Sequence, residues 1–185
     1  MEMRQDDGAL EFSNQLKVPK ARVAIIIGNK GETKREISSL FNVKLAVDSD
    51  DGDVFISGKD SLRVYVASEV IKAIARGFNP DIAKLLSKSD YILDIIRIDD
   101  FAKNKNAVQR LKGRIIGLKG KSRSTIEQLS ETNISDYGKT VAIIGENENV
   151  TMAKRAIESL LEGSMHSSIF KWMEKERRRI QATKF

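Results

Sequence analysis

The sequence predicts an α+β protein: two tandem copies of a β-α-α-β-β-α unit, closed by a C-terminal helix. Three observations predict it. The first is a repeat: "IIGNKGETKREI" (26–37) returns as "IIGLKGKSRSTI" (115–126), and Gly28/Gly117, Lys30/Lys119, Gly31/Gly120 and Ile37/Ile126 keep one offset, 117 − 28 = 89. The second is the pair of short strand-like runs after each motif, "VKLAV" and "DVFISG" in one copy, "NIS" and "TVAIIG" in the other. The third is a helical stripe that closes each copy: Ala67, Val70, Ile71, Ile74 and Ala75, matched by Ala153, Ala156, Ile157, Leu160 and Leu161. Apolar residues at i, i+3, i+4, i+7 and i+8 lie on one side of an α-helix.

Each copy opens on a strand, about Phe12–Val18 and about Tyr91–Ile98. A short helix runs into the first glycine. A second helix starts after the second glycine and ends near Phe41 or Thr132. The offset then drops by two, Gly58 to Gly145 (145 − 58 = 87), because the first copy carries the longer hairpin loop "DSDDGD". Gly77 and Gly163 follow the striped helices as caps. A sheet with helices on one face is the layer arrangement this order produces. The domain bounds are then 10–78 and 91–164. Between them, 79–90 reads as a linker helix: Asn79-Pro80-Asp81 breaks one helix and starts another, with Ile82, Leu85 and Leu86 on one side. Residues 165–185 read as a basic C-terminal helix with Ile169, Trp172, Met173 and Ile180 on its buried side.

Composition excludes several chemistries. The 185 residues are 41% hydrophobic, contain no cysteine and one histidine, and carry a net charge of +6. Disulfides, thiolate nucleophiles and cysteine-ligated zinc are excluded. His166 falls in an expected loop and is read as solvent-exposed. No apolar run approaches the length of a membrane span, and "MEMRQDDGALEFSN" is too polar for a signal peptide. No cofactor or metal is expected, no membrane partner, and the setting is read as cytoplasmic. A basic soluble chain of this kind meets polyanions.

The glycine motif decides which. A nucleotide-hydrolase loop reads G-x-x-x-x-G-K-[ST]. Gly120-Lys121-Ser122 supplies its end, but the first glycine would fall on Ile115, and in the other copy Glu32 follows Gly31. "NAVQRLKGRII" ahead of it is a basic helix rather than a buried strand. A calcium loop starting at Asp48 fails as well, since its fifth position is Gly52 and its twelfth Lys59. Asp99-Asp100 is a solvated turn, because neighbouring side chains on an extended chain point apart.

G-x-x-G between two short helices, followed by strands and surrounded by cations, resembles the KH (K-homology) family. The resemblance rests on "LKVPKARVAIIIGNKGETKREISSLFNVKLAV" (16–47) and "AVQRLKGRIIGLKGKSRSTIEQLSETNIS" (107–135), and covers about 10–78 and 91–163. Strands and a helix after the motif match the type I KH order, so the fold expected is two type I KH domains in tandem. Three residues after the second glycine many KH domains have an apolar side chain; here stand Lys34 and Arg123. G-x-x-G-x-[TS]-[KR] is similar to the KH proteins of small-ribosomal-subunit assembly, above all the archaeal relatives of the partner-of-Nob (Pno/Dim) factors. That resemblance implies single-stranded small-subunit rRNA near its 3′ end as ligand. It also implies a PIN-domain rRNA-processing nuclease and other assembly factors as partners, and no enzymatic activity. Other readings are a KH protein of mRNA turnover or the exosome, a nucleotide-hydrolysing assembly enzyme, and a protein-interaction scaffold.

KH domains clamp about four nucleotides with the G-x-x-G loop against the backbone. The RNA-binding residues expected are Gly28, Asn29, Lys30, Gly31 and Lys34 in the first copy. In the second they are Arg110, Lys112, Arg114, Gly117, Leu118, Lys119, Gly120, Lys121 and Arg123. Ile26, Ile27, Ile115 and Ile116 either wall a groove for bases or belong to the core. Between Phe101 and Ile126 there are eight cations and no acid, whereas Lys17–Arg35 holds six cations and Glu32. The second copy is therefore expected to be the stronger RNA site. Five of its cations on phosphates would give a log–log salt slope of roughly −3.5.

Overall fold

Val54 and Ile56 alternate with Phe55, and that alternation gives the first sheet one covered face. Val54 and Ile56 are fully buried while Phe55 is exposed, as expected of an antiparallel strand with helices on one side only. The computed structural model describes residues 11–183. The chain divides into two units, one ending at Ala75 and the other starting at Arg76.

The first unit runs β1 (Phe12–Lys17), α1 (Lys20–Ile27), α2 (Glu32–Phe41), β2 (Lys44–Val47), β3 (Asp53–Gly58) and α3 (Ser61–Ala75). β3 lies at the centre, antiparallel to both neighbours, in the order β1-β3-β2. Leu45 stands opposite Ile56, and Leu16 opposite Val54. Ile26, Ile37, Ile71 and Ile74 bring the three helices down onto this face, each fully buried. A fully buried side chain of this size contributes about 1.5–3 kcal/mol. The acidic loop is a tight turn in which Asp48 Oδ1 accepts from the amides of Asp50 and Asp51 at 2.9 and 3.1 Å. Those amides, Asp51's first, hold the Asp48 carboxyl below its ordinary pKa.

The second unit repeats the order as β4 (Tyr91–Arg97), α5 (Lys105–Ile116), α6 (Lys121–Ser130), β5 (Asn133–Tyr137), β6 (Thr140–Glu146) and α7 (Asn147–Glu162). Its sheet order, β4-β6-β5, is that of the first. It adds a short α4 (Pro80–Ala83) before the repeat and α8 (His166–Thr183) after it. Asn79 caps α4 by accepting from the Asp81 amide at 2.9 Å. Ile169 and Met173 of α8 are buried, and Trp172 and Ile180 pack partly buried on the same core.

β6 differs from β3. Val141, Ala142, Ile143 and Ile144 are all fully buried. Val141 and Ile143 join the helical core. Ala142 and Ile144 face the other way, onto a face crossed by the segment from Arg76 to Ser87. Along it Phe78, Ala83 and Leu86 are buried, and Ser135 Oγ donates to the Arg76 carbonyl at 3.0 Å. The helix of 79–90 is thus built into the second unit. His166 also departs from expectation. It is the first residue of α8, half-buried, and its Nε2 donates to the Arg114 carbonyl at 2.9 Å.

Candidate nucleic-acid interface

The two glycine loops are superposable in backbone angles. Gly28 has φ 73 and ψ 178, Gly117 φ 71 and ψ 178. Lys30 and Lys119 both adopt positive φ, 49 and 53, and Gly31 and Gly120 follow at φ 80 and 77. A non-glycine residue held in the left-handed region costs roughly 1–2 kcal/mol. The same conformation recurs at the same lysine in both copies, as it does at the helix C-caps Asn42 and Glu131.

The two glycines of each loop do different work. A Cβ on Gly28 would stand 2.3 Å from Thr33 Oγ1, and one on Gly117 would stand 2.6 Å from Ser122 Cβ. The first glycine lets the loop fold back onto the opening turn of the next helix. A Cβ on Gly31 or Gly120 would meet nothing within 4 Å. The second glycine faces open space, where another backbone can come close. Because Gly31 and Gly120 are also the N-caps of α2 and α6, no side chain caps either helix. The first amide of each helix closes back on its own loop, Glu32 donating to the Asn29 carbonyl and Lys121 to the Leu118 carbonyl; the positive end of each helix dipole lies at the loop and suits an anion. α2 has Glu32 in that turn; α6 has no acid there and carries Lys121.

Around these loops the expected residues separate into groups. Asn29, Lys30, Leu118, Lys119, Lys121 and Arg110 are exposed, Leu118 at 84%. Ile26 and Ile115 are core residues at 0% exposure, while Ile27 and Ile116 remain half-buried beside the loops. Lys34 is half-buried. Lys112 and Arg123 meet on a carboxylate: Asp136 Oδ2 lies 3.3 Å from Lys112 Nζ, and Asp136 Oδ1 accepts from Arg123 Nη1 at 3.0 Å. Glu127 approaches the other side of Arg123 at 3.7 Å. In the first unit the positions of Lys112 and Asp136 are Val23 and Val47 (112 − 23 = 89; 136 − 47 = 89), so this ion cluster belongs to the second copy alone.

Arg114 stands apart from the loop cations. Its Nε donates to the Leu160 carbonyl at 3.1 Å and its Nη2 to the Ser164 carbonyl at 2.7 Å. These are carbonyls at and beyond the end of α7, so Arg114 fastens α5 to that helix. Arg22 does the same for α3, donating to the Ile74 carbonyl at 2.7 Å. Ile74 and Leu160 are equivalent, but the two arginines sit one helical turn apart in the repeat alignment, since Arg22 aligns with Leu111.

Asp136 was not anticipated. Its signal is parity: it shares a strand face with Ile134, which is buried, and an acid on a core-facing position needs a cationic partner.

Residues 92–178 match the family described as Eukaryotic type KH-domain (KH-domain type I), and residues 13–73 match the KH domain family. The KH domain-containing protein MJ0443 of Methanocaldococcus jannaschii is 48% identical over 92% of this chain and 76% of its own length. The RNA-binding protein pno1 of Dictyostelium discoideum is 25% identical over 89% of this chain and 72% of its own. A chain in the crystal structure of the a/eIF2alpha–aDim2p–rRNA complex from Pyrococcus horikoshii OT3 gives a TM-score of 0.87 at 39% identity, covering 94% of this chain and 98% of that one. With two type I KH units in tandem and matches along nearly their whole length, this chain belongs to the Pno1/Dim2 family of KH-domain proteins.

Proposed function

We propose that the chain binds single-stranded small-subunit rRNA near its 3′ end during subunit maturation, and that the second unit is the stronger site. The observation that carries this is the loop Gly117–Gly120: exposed, open at Gly120, leading into an uncapped helix start with Lys119 and Lys121 beside it. A sugar-phosphate backbone fits that geometry, with the positive end of the α6 dipole and two ammonium groups around one phosphate. Arg110, about two turns upstream on α5, extends the cationic track. Lys112 and Arg123 sit next to it with much of their charge offset by Asp136. Gly28–Gly31 has the same backbone but meets an acid, Glu32, at the helix start, so its affinity is lower.

The solved relative complexed with rRNA, and the RNA-binding name of the Dictyostelium relative, support rRNA as the ligand. The a/eIF2alpha in that complex supports a protein partner as well. The family resemblance adds the PIN-domain nuclease that trims the 3′ end, other small-subunit assembly factors and a cytoplasmic site of action. The role is one of binding, without catalysis. RNA crosslinked to the chain in cells and mapped by sequencing tests this. Enrichment at the 3′ end of small-subunit rRNA is expected; enrichment on messenger RNA instead would overturn the assignment.

A further inference from the structure

In the second unit, α8 packs on α6 and α7. It starts beside the approach to the second glycine loop, where the His166 ring bonds the Arg114 carbonyl. It reaches the far end of α6, where Arg177 donates to Glu131 at 2.9 Å. Ile169 and Met173 face the core. Lys171, Lys175 and Arg178 therefore face outward, at i, i+4 and i+7 along one ridge, and all three are exposed. Helical rise sets the first pair about 6 Å apart along the axis and the second about 4.5 Å. The cations of α8 sort by side. Arg177 takes Glu131, and Arg179 takes Glu176 at 2.6 Å. Lys171, Lys175 and Arg178 have no ion pair among the described residues. The exposed acid Glu174 stands on one flank of the ridge.

The other flank borders a cavity of about 300 Å³, between the first half of α7 and the second half of α8. Met152, Trp172 and Ile180 give it apolar walls, and Glu148 and the Arg179-bound Glu176 give it polar ones. The Arg155 guanidinium lies over the Trp172 ring, 4.9 Å from its centroid, and Arg155 is itself exposed. A guanidinium on an indole makes a flat, cationic surface of the kind on which a nucleobase stacks. The first unit lacks these features. The position of Arg155 is held there by Glu69 (155 − 69 = 86), which pairs with Lys72.

We infer that the α7–α8 surface of the second unit is a further contact for single-stranded RNA, which takes up the strand as it leaves the glycine loop. Phosphates lie along Lys171, Lys175 and Arg178, and one unpaired base enters the cavity beside the Arg155–Trp172 stack. A cationic track next to an aromatic platform is how single strands are held with little regard to base sequence. An acidic protein segment would use the ridge and leave the stack and the cavity idle. The inference rests on RNA as the ligand of this chain.

Trp172 is the only tryptophan in the chain, so its fluorescence reports on the cavity directly. The full chain is titrated, across a salt series, with single-stranded RNA of about four nucleotides, enough for the loop, and of about twelve. The longer strand quenches Trp172 emission and the shorter leaves it unchanged. Lys171→Gln with Lys175→Gln and Arg178→Gln, all at exposed positions, makes the log–log salt slope for the longer strand shallower by about 2. The slope for the shorter strand stays as it was. A triple variant that keeps the parent's slope for the longer strand would overturn the inference and leave the loop as an RNA site. Failure of the parent to bind either strand would overturn both. Unchanged Trp172 emission at saturation with the longer strand would also overturn it, as would equal quenching by polyglutamate.

Discussion

Asp136→Asn changes one atom per side chain and has two effects of opposite sign. In the folded chain the carboxylate, 18% exposed, holds Lys112 at 3.3 Å and Arg123 at 3.0 Å. Fully exposed ion pairs are worth about 0.2–1 kcal/mol and breaking a fully buried one costs about 3–5. Arg123 is 39% exposed, so the loss of stability is about 1–2 kcal/mol, a melting temperature lower by a few degrees. The effect on RNA is a gain. Arg110, Lys119 and Lys121 have no acidic partner among the described residues, and the substitution adds Lys112 and Arg123 to them, Arg123 keeping only the longer contact with Glu127 at 3.7 Å. Single-stranded binding changes with salt by about −0.7 per phosphate contact, so the log–log slope steepens from about −2 to about −3.5. Over a tenfold rise in salt, the parent loses about 100-fold in affinity and the variant about 3,000-fold. Fluorescence anisotropy of a labelled single-stranded oligonucleotide across a potassium chloride series measures both. An unchanged slope would show that Lys112 and Arg123 stay off the RNA even when released. A drop in low-salt affinity would show that Asp136 orients Arg123 for binding, and would refute the view of it as a counter-charge.

Other substitutions separate structure from binding. Gly117→Ala costs at least about 2 kcal/mol by thermal denaturation, because its Cβ meets Ser122 at a strained φ; Gly120→Ala pays only the strain, about 1 kcal/mol, and keeps the fold. Arg114→Met lowers stability by about 1.5–3 kcal/mol through loss of its two carbonyl contacts and leaves the salt slope of RNA binding as it was. Lys119→Ala with Lys121→Ala makes that slope shallower by about 1.4, while Lys30→Ala changes it by less than half as much.

The fold was legible because the repeat supplied two readings of each element. Ile37 and Ile126, or Ile74 and Leu160, take equivalent buried places, so either copy checked the other. What escaped was tertiary. "TVAIIG" is an unbroken apolar run where "DVFISG" alternates, and an unbroken run signals a strand covered on both faces. The cover came from the segment beginning at Arg76, whose apolar residues are too few to name their seat in advance. At the site, the glycines and loop lysines were legible from spacing alone. Arg114 was not distinguishable from Arg110, since both are cations on one helix, and only the position of the α7 carbonyls separates them. His166 was expected in a loop; it is the first residue of α8, with its ring bonded to the Arg114 carbonyl. Lys112 and Arg123 were identified as cations, but the carboxylate between them lies on a strand contributed from further along the chain.

The central claim is that RNA is held mainly at the second glycine loop. Gly31 and Gly120 both face open space at positive φ, and aspartate tolerates that region better than most residues, so Gly31→Asp and Gly120→Asp both fold. Each puts a carboxylate where a phosphate would sit. Single-stranded RNA affinity at fixed salt, measured for the parent and both variants, is the most direct test. The account predicts a loss of about tenfold or more for Gly120→Asp and a loss of about threefold or less for Gly31→Asp. Equal affinity of Gly120→Asp and the parent would contradict it.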